Sequence, residues 1–315
     1  DLDRAQRLPD TTGLRNEVIL QRGHNIDYGA PLAQSIALAG ARMVEIGSTN
    51  ECVTRNLAGA ISPRTAAALY VVSHHTVQSG LLDFGTFCRV CRRQGVPVIV
   101  DAAAEPEPRL FLRAGADLVI VSMHKQFAGL TGGVVAGRLD LVRACHVQEK
   151  AIGRPMKVGK ESVIAAIAAL ERWSALDRRK IAAALDARLA RVHARVARLR
   201  GITAEIEPDS TSHLFSRVLL KVDAARAGLS AAELAGRLAA LRPSIAVRSL
   251  MADVGLLQID LRRASDEIAE HVAASIERIV TGAQSRRRVS GTGRRKTTRE
   301  FPLPRRGQER GRARR

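Results

Sequence analysis

Two charged residues close two of the most apolar runs in this chain of 315 residues. Asp101 ends Val-Pro-Val-Ile-Val-Asp (96–101), and Lys125 ends Ala-Asp-Leu-Val-Ile-Val-Ser-Met-His-Lys (116–125), twenty-four residues later. Both runs are too apolar for edge strands, and a charge at the mouth of a buried parallel strand usually serves a site. A lysine amine condenses with an aldehyde, and a neighbouring carboxylate holds a protonated ring nitrogen. Those are the two groups that pyridoxal 5'-phosphate requires. Either residue alone says little, since strand-terminal lysines are mostly solvated charges and strand-terminal aspartates mostly turn formers or helix caps.

Such a pair has to be carried on neighbouring strands, and the surrounding pattern supplies them. Short β-branched runs alternate with Ala- and Leu-rich stretches up to about residue 148, the βαβ pattern of an α/β fold with a mainly parallel sheet. Strands are predicted at Ala41–Ile46, Ala67–Val72, Val96–Val100, Asp117–Val121 and Gly133–Ala136, and helices at Tyr28–Ala39, Leu81–Gln94 and Leu139–Gln148. Apolar residues at three- and four-residue spacing then predict a long helical tract from Glu161 to Leu199. Beyond it the order is strand (202–206), strand (214–221), helix (230–240), strand (244–249), strand (255–260) and helix (265–280). The predicted organisation is a large domain over 1–160, a connecting tract over 161–200, a small α+β domain over 201–281 and a basic, disordered tail over 282–315.

Composition narrows the class. No stretch is long and apolar enough to span a membrane, and the first residues lack the basic-then-apolar order of a signal peptide, so a cytoplasmic protein with no membrane contact is expected. Cys52, Cys88, Cys91 and Cys145 make neither a disulfide framework nor a metal cluster. Cys88 and Cys91 form a CxxC on what reads as an amphipathic helix; with no second ligand pair nearby, burial is favoured over redox or zinc roles, and no metal is expected. Of the formal charge of +19, the segment from Ser285 onward carries +11, thirteen Lys or Arg against two Glu. With one aromatic, that tail cannot bury enough surface to fold alone; it reads as a solvated extension or as an arm that contacts RNA.

Val121-Ser-Met-His-Lys-Gln-Phe-Ala-Gly-Leu-Thr-Gly-Gly133 resembles the Schiff-base lysine segment of fold-type I pyridoxal phosphate enzymes. Val44-Glu-Ile-Gly-Ser-Thr-Asn50 resembles a segment of bacterial selenocysteine synthase, the L-seryl-tRNA selenium transferase. Gly153-Arg-Pro-Met-Lys-Val-Gly-Lys-Glu161 resembles its D-glucosaminate-6-phosphate ammonia-lyase-like relatives, and Leu257-Gln-Ile-Asp-Leu-Arg262 resembles their small domain. The likeness covers roughly residues 14 to 280.

The resemblance implies a fold-type I large domain with a smaller C-terminal domain, and it assigns roles residue by residue. Lys125 would carry the cofactor as a Schiff base and then move the proton at Cα, while Asp101 would keep the pyridine nitrogen protonated. Ala103, two residues on and on the same side of an extended chain, is small enough to lie against the ring. Ser122 and His124 would bond the phosphate, His124 having a backbone-bonded strand-end histidine as its alternative. His75 would sit near the ring oxygen, with His74 pointing the other way. Arg262 is the candidate for a substrate carboxylate, through two parallel bonds from its planar fork, and Arg248 is the second choice. Arg154, Lys157 and Lys160 form a basic cluster that opposes the dipole of the helix it precedes, so Arg154 and Lys157 read as substrate ligands as readily as surface charges. Arg22 and His24 are weaker candidates for substrate binding.

Two departures accompany the likeness. Relatives tend to have Gly-Pro-Gln after the lysine, where this chain has Gly129-Leu-Thr131. The small-residue turn that holds the cofactor phosphate at a helix N-terminus would lie upstream of the region matching residue 14, and Asp1–Gly13 supplies none, so the chain reads as truncated at its N-terminus. The implied activity is α,β-elimination or β-replacement on an amino-acid-type substrate or an aminoacyl-tRNA, in a homodimer or higher homo-oligomer. The alternatives are an ammonia-lyase acting on a phosphorylated amino sugar acid, and a non-catalytic fragment or paralogue that binds RNA through its tail.

Overall fold

A computed structural model describes residues 1–208 and 215–292. The chain divides into two compact units. The first spans Asp1–Leu189 and takes in Ile206–Arg217; the second comprises Ala190–Glu205 and the described residues from Val218 onward.

The first unit is built on a six-stranded sheet. Its strands are β1 (Glu17–Gln21), β2 (Arg42–Ile46), β3 (Thr65–Val71), β4 (Val98–Asp101), β5 (Leu118–Ser122) and β6 (Gly133–Gly137), in the spatial order β2-β1-β3-β4-β5-β6. Every pairing is parallel except β5 with β6. The register sets Val71 level with Asp101 and Asp101 level with Ile120, so the carboxyl ends of the three inner strands finish together. In an open α/β sheet that is where ligands bind. One face of the sheet packs Ile19, Ala68, Val98, Val100 and Val119 with Phe87, Cys88 and Cys91 of the helix Phe84–Arg93. The other face packs Leu20, Leu69 and Val71 with Leu32. Both cysteines of the CxxC are buried and unpaired by disulfide.

The inner strand β1 is absent from the pattern read in the sequence, and its ends explain why. Glu17 and Gln21 flank only three apolar residues, yet both are buried. The Glu17 carboxylate accepts from the Ser62 hydroxyl at 2.8 Å and from Arg64 Nε at 2.7 Å. The Gln21 side chain accepts the Leu82 N–H at 2.8 Å and donates to the Leu82 carbonyl at 3.3 Å. Polar residues whose hydrogen bonds are met inside the fold look like loop residues in a hydropathy pattern.

Other elements shift at their ends. The helix expected from Tyr28 starts at Leu32, because Pro31 caps it. The tract expected over 161–199 is two helices, Lys160–Ser174 and Arg178–Val196, and the division between units falls inside the second. β6 ends at Gly137, with φ +151°, where an added Cβ would collide with the Asp117 carbonyl.

The second small sheet has the order β7-β8-β9, with β7 at Ile202–Pro208, β8 at Ser216–Val222 and β9 at Leu256–Ile259. The strand expected over 244–249 is reduced to a bridge between Arg248 and Gln258. Ser230 and Glu233 cap the helix Ala231–Ala239 reciprocally, and the final helix runs Asp266–Thr292, past the point where the tail was expected to begin. The rest of the basic tail lies outside the described residues. Among them no helix is long and apolar enough to cross a membrane, and no group of three His, Cys, Asp or Glu is placed to hold a metal ion.

Candidate active site

A cavity of about 390 Å³ opens at the carboxyl ends of the strands of the first unit. Each strand contributes as it ends. Ile26 and Tyr28 follow β1, Val71 to His75 leave β3, Asp101, Ala103 and Ala104 leave β4, and Ser122 and Lys125 leave β5. Gly132 and Gly133 close the circuit where the chain enters β6. Asp101 and Lys125 therefore face one space, and the strand register is what puts them there.

Asp101 is half-buried, and its Oδ1 accepts the Ala103 N–H at 3.1 Å. Burial pushes its carboxyl above the usual aspartate range, against the pull of that amide and of the Lys125 charge. The site thus holds a partly desolvated carboxylate whose charge is incompletely met, the condition that favours a cation in the cavity. Between them Ala102 is fully buried, so the chain alternates and turns the Ala103 methyl to the cavity.

The phosphate candidates separate. Ser122 lines the cavity, and its hydroxyl lies 3.1 Å from His124 Nδ1. His124 is exposed and is not part of the lining; its contact with the cavity runs through Ser122. His75 lines the cavity, but so does His74, with ring centroids 3.9 Å apart. The expectation that His74 points away fails because β3 ends at Val71 and the two histidines occupy a turn, where strand alternation no longer applies.

Of the substrate candidates in the first unit, Arg22, His24, Arg154 and Lys157, none lines this cavity. Arg22 is exposed and pairs with Glu45 at 3.2 Å. His24 is 3% exposed and accepts the Val71 N–H on Nδ1 at 3.3 Å, facing a different cavity. Arg154 is exposed in a short 3₁₀ turn, and Lys157 lies 3.9 Å from Glu149. Arg262, in the second unit, spends its guanidinium on Asp260 through contacts of 2.9 and 2.6 Å, and Arg248 exchanges backbone hydrogen bonds of 3.0 Å with Gln258. Sequence reasoning passed over Tyr28, Ser73, Ala104, Gly132 and Gly133. All but Tyr28 lie within two residues of positions it had singled out or of a strand it had predicted, so the strand ends themselves were the available signal.

Residues 8–272 match the family described as SelA, L-seryl-tRNA selenium transferase. The chain belongs to this family. Its members are pyridoxal phosphate-dependent transferases and lyases, and the chain is an enzyme of that type with the fold-type I architecture. Within the family the likeness is uneven. A 5'-C-glycyluridine monooxygenase-decarboxylase of Streptomyces sp is 42% identical over 279 residues, covering 88% of this chain and 70% of that protein. D-glucosaminate-6-phosphate ammonia lyase of Salmonella typhimurium is 37% identical over 284 residues, covering 87% and 76%. A solved structure of D-glucosaminate-6-phosphate ammonia-lyase superposes with a TM-score of 0.75 at 35% identity, over 90% of this chain and 76% of that one. By contrast, an L-seryl-tRNA(Sec) selenium transferase of Serratia proteamaculans is 26% identical over 175 residues, 50% of this chain and 37% of its own length.

Proposed function

We propose that this family member is a pyridoxal phosphate-dependent lyase that acts at Cα of a small amino-acid-type substrate, with Lys125 and Asp101 as its catalytic residues. The observation that carries the reading is the cavity on which both residues open, with Asp101 half-buried and its charge only partly met. The residues fit the cofactor. A protonated ring nitrogen would give the Asp101 carboxylate the partner it lacks, the small side chains of Ala103 and Ala104 leave room for a flat ring, and Lys125 supplies the amine. Ser122, His75 and the backbone of Gly132 and Gly133 are the donors available to its oxygens.

When bound, pyridoxal phosphate supplies an aldehyde for the lysine and a ring that takes up the electron pair released at Cα. The chain's own residues do the rest. Lys125 would take the proton from Cα and return it, and Asp101 would hold the ring nitrogen in its charged form. The rings of His74 and His75, with centroids 3.9 Å apart, line one side of the cavity.

The higher identity and coverage of the small-molecule relatives support a small substrate over a charged tRNA, which makes the lyase reading better supported than seleno-transfer. The test is spectroscopic. Reconstituted with pyridoxal phosphate, the whole chain should develop an absorbance band at the visible edge that Lys125→Ala abolishes. The same spectrum in both proteins would dismiss the assignment. Release of ammonia from amino-acid-type small molecules, and no turnover of seryl-tRNA, is the expected activity profile.

A further inference from the structure

Asp101 and Lys125 are not held in place by the same bonds. Asp101 is the last residue of β4 and lies level with Ile120 of β5, so the sheet fixes it. Lys125 comes three residues after β5 has ended at Ser122. Among the described residues, the last backbone bond between the two segments runs from the Ser122 N–H to the Ala103 carbonyl, at 3.2 Å. Beyond it, the span between the two site residues is set by whatever anchors the loops, and a misplacement of about 1 Å in such a pair can cost about a hundredfold in rate.

One turn of one helix anchors both loops. Arg172 and Trp173 are consecutive residues near the end of the helix Lys160–Ser174, and consecutive helical side chains leave the axis about 100° apart, so the two reach different segments. Arg172 Nη2 donates to the Phe127 carbonyl at 2.8 Å, two residues past Lys125. Trp173 Nε1 donates to the Pro106 carbonyl at 3.0 Å, in the segment that leaves Asp101.

Packing stiffens each anchor. The Phe127 ring is buried and lies 5.1 Å from the indole, and Gly129 is so close to the same helix that an added Cβ would stand 3.2 Å from the Ala169 methyl. The lysine loop closes on itself through the Gly129 N–H and the Met123 carbonyl at 2.8 Å, with Ala128 at φ +50°, a conformation that persists only where its surroundings hold it. On the other segment, Arg109 and Arg178 lie over the indole at 4.7 and 4.3 Å and pair with Glu107 at 2.7 and 3.3 Å. Pro106, Glu107, Phe127, Arg172 and Trp173 do not line the cavity, so each reaches the site through a loop.

We propose that Arg172 and Trp173 are positioning residues: Arg172 sets where Lys125 stands, Trp173 sets where Ala103 and Ala104 stand beyond Asp101, and one helix thereby fixes the span between the amine and the wall of the ring pocket. The anchoring stands on its own geometry; its consequence for the cofactor rests on the function proposed above.

The test uses the whole chain. Trp173→Phe keeps an aromatic ring beside Phe127 and the two guanidinium groups and removes the N–H, Arg172→Gln removes the guanidinium that reaches Phe127, and Arg172→Lys restores a cationic donor. In protein without cofactor, amide hydrogen exchange should quicken in 102–108 for Trp173→Phe and in 123–129 for Arg172→Gln, each variant leaving the other segment unchanged and melting within a few degrees of wild type. With pyridoxal phosphate, each should bind about tenfold more weakly in an absorbance titration, and Arg172→Lys should recover part of the loss. In a Lys125→Ala background Arg172→Gln should weaken binding no further, because its effect runs through the amine. Should Trp173→Phe fail to fold, Glu107→Gln, which loosens Arg109 and Arg178 from the same segment, takes its place with the same expected exchange. Exchange unchanged in the folded variants, exchange quickened in both segments together, or weaker binding that is the same with and without Lys125 would overturn the proposal. The two readings separate: segment-specific exchange without a Lys125-dependent band defeats the cofactor assignment alone, and a band whose affinity ignores both variants defeats the positioning role alone.

Discussion

The backbone N–H of Ala103 donates to Asp101 Oδ1 across 3.1 Å, from the residue that also turns its methyl into the cavity. That bond only partly compensates the burial of the carboxylate, so the site is kept at some cost to the protein without cofactor. Asp101→Asn should therefore separate stability from function. The apoprotein should melt at or above the wild-type temperature at neutral pH, because a neutral amide removes the desolvated charge, while pyridoxal phosphate affinity should fall by roughly a hundredfold. Calorimetry of the apoprotein beside a cofactor titration checks both halves; a variant that loses stability and keeps its affinity would contradict the role given to Asp101.

The same carboxyl sets a pH dependence. Its folded pKa is raised above the ordinary 3.8, so the native apoprotein holds this proton more tightly than the unfolded chain does. The burial cost is present above the raised pKa and relieved as pH falls through it. Cofactor pairing needs the ionised form, so affinity should be level above that pKa and decline as acid protonates Asp101. Asp101→Asn should lack this decline. An identical acid limb in wild type and variant would assign it to another group.

What the sequence made legible follows from how each side chain is satisfied. Asp101 and Lys125 stood out because they end runs of apolar residues, and a strand buried on both faces leaves no other reason for a charge at its end. β1 was hidden because Glu17 and Gln21 meet their hydrogen bonds in distant parts of the chain, at Arg64, Ser62 and Leu82. Long-range partners leave no trace in local periodicity. The His74 and His75 pair was misread for a related reason: alternation assigns sides only while the strand lasts, and β3 ends three residues before His74. Arg262 was chosen for its guanidinium, and its neighbour Asp260, two residues away, pairs with it.

His24 offers a test of burial on its own. Its pKa is pushed down to about 4 from an ordinary 6.5, so the unfolded chain binds the extra proton between those values while the native protein does not. Stability from this group is complete above pH 6.5 and is lost as pH falls toward 4, by on the order of 3 kcal/mol. Trp173, the sole tryptophan, lies in the same unit with its indole N–H on the Pro106 carbonyl at 3.0 Å, and its fluorescence reports the unfolding of that unit. Urea titrations over this pH range should show the loss in wild type and a flatter profile in His24→Asn. Equal slopes would mean that His24 titrates normally in the native state.

The thiols should divide by burial. Cys52, Cys88 and Cys91 are each no more than 3% exposed, and burial raises the Cys88 pKa to about 11 and that of Cys91 to about 12. Only the thiolate attacks a disulfide reagent, so at neutral pH these three are silenced twice, by access and by protonation. Cys145 is exposed on the helix Leu139–Val147. Native protein treated with an aromatic disulfide should release one equivalent of chromophore quickly, and Cys145→Ser should remove that phase. The remaining three should react at rates that climb with denaturant, because each must wait for the first unit to open. A fast native phase of two or three equivalents would place Cys88 and Cys91 at the surface and restore a redox role for the CxxC that their packing against β3, β4 and β5 otherwise denies them.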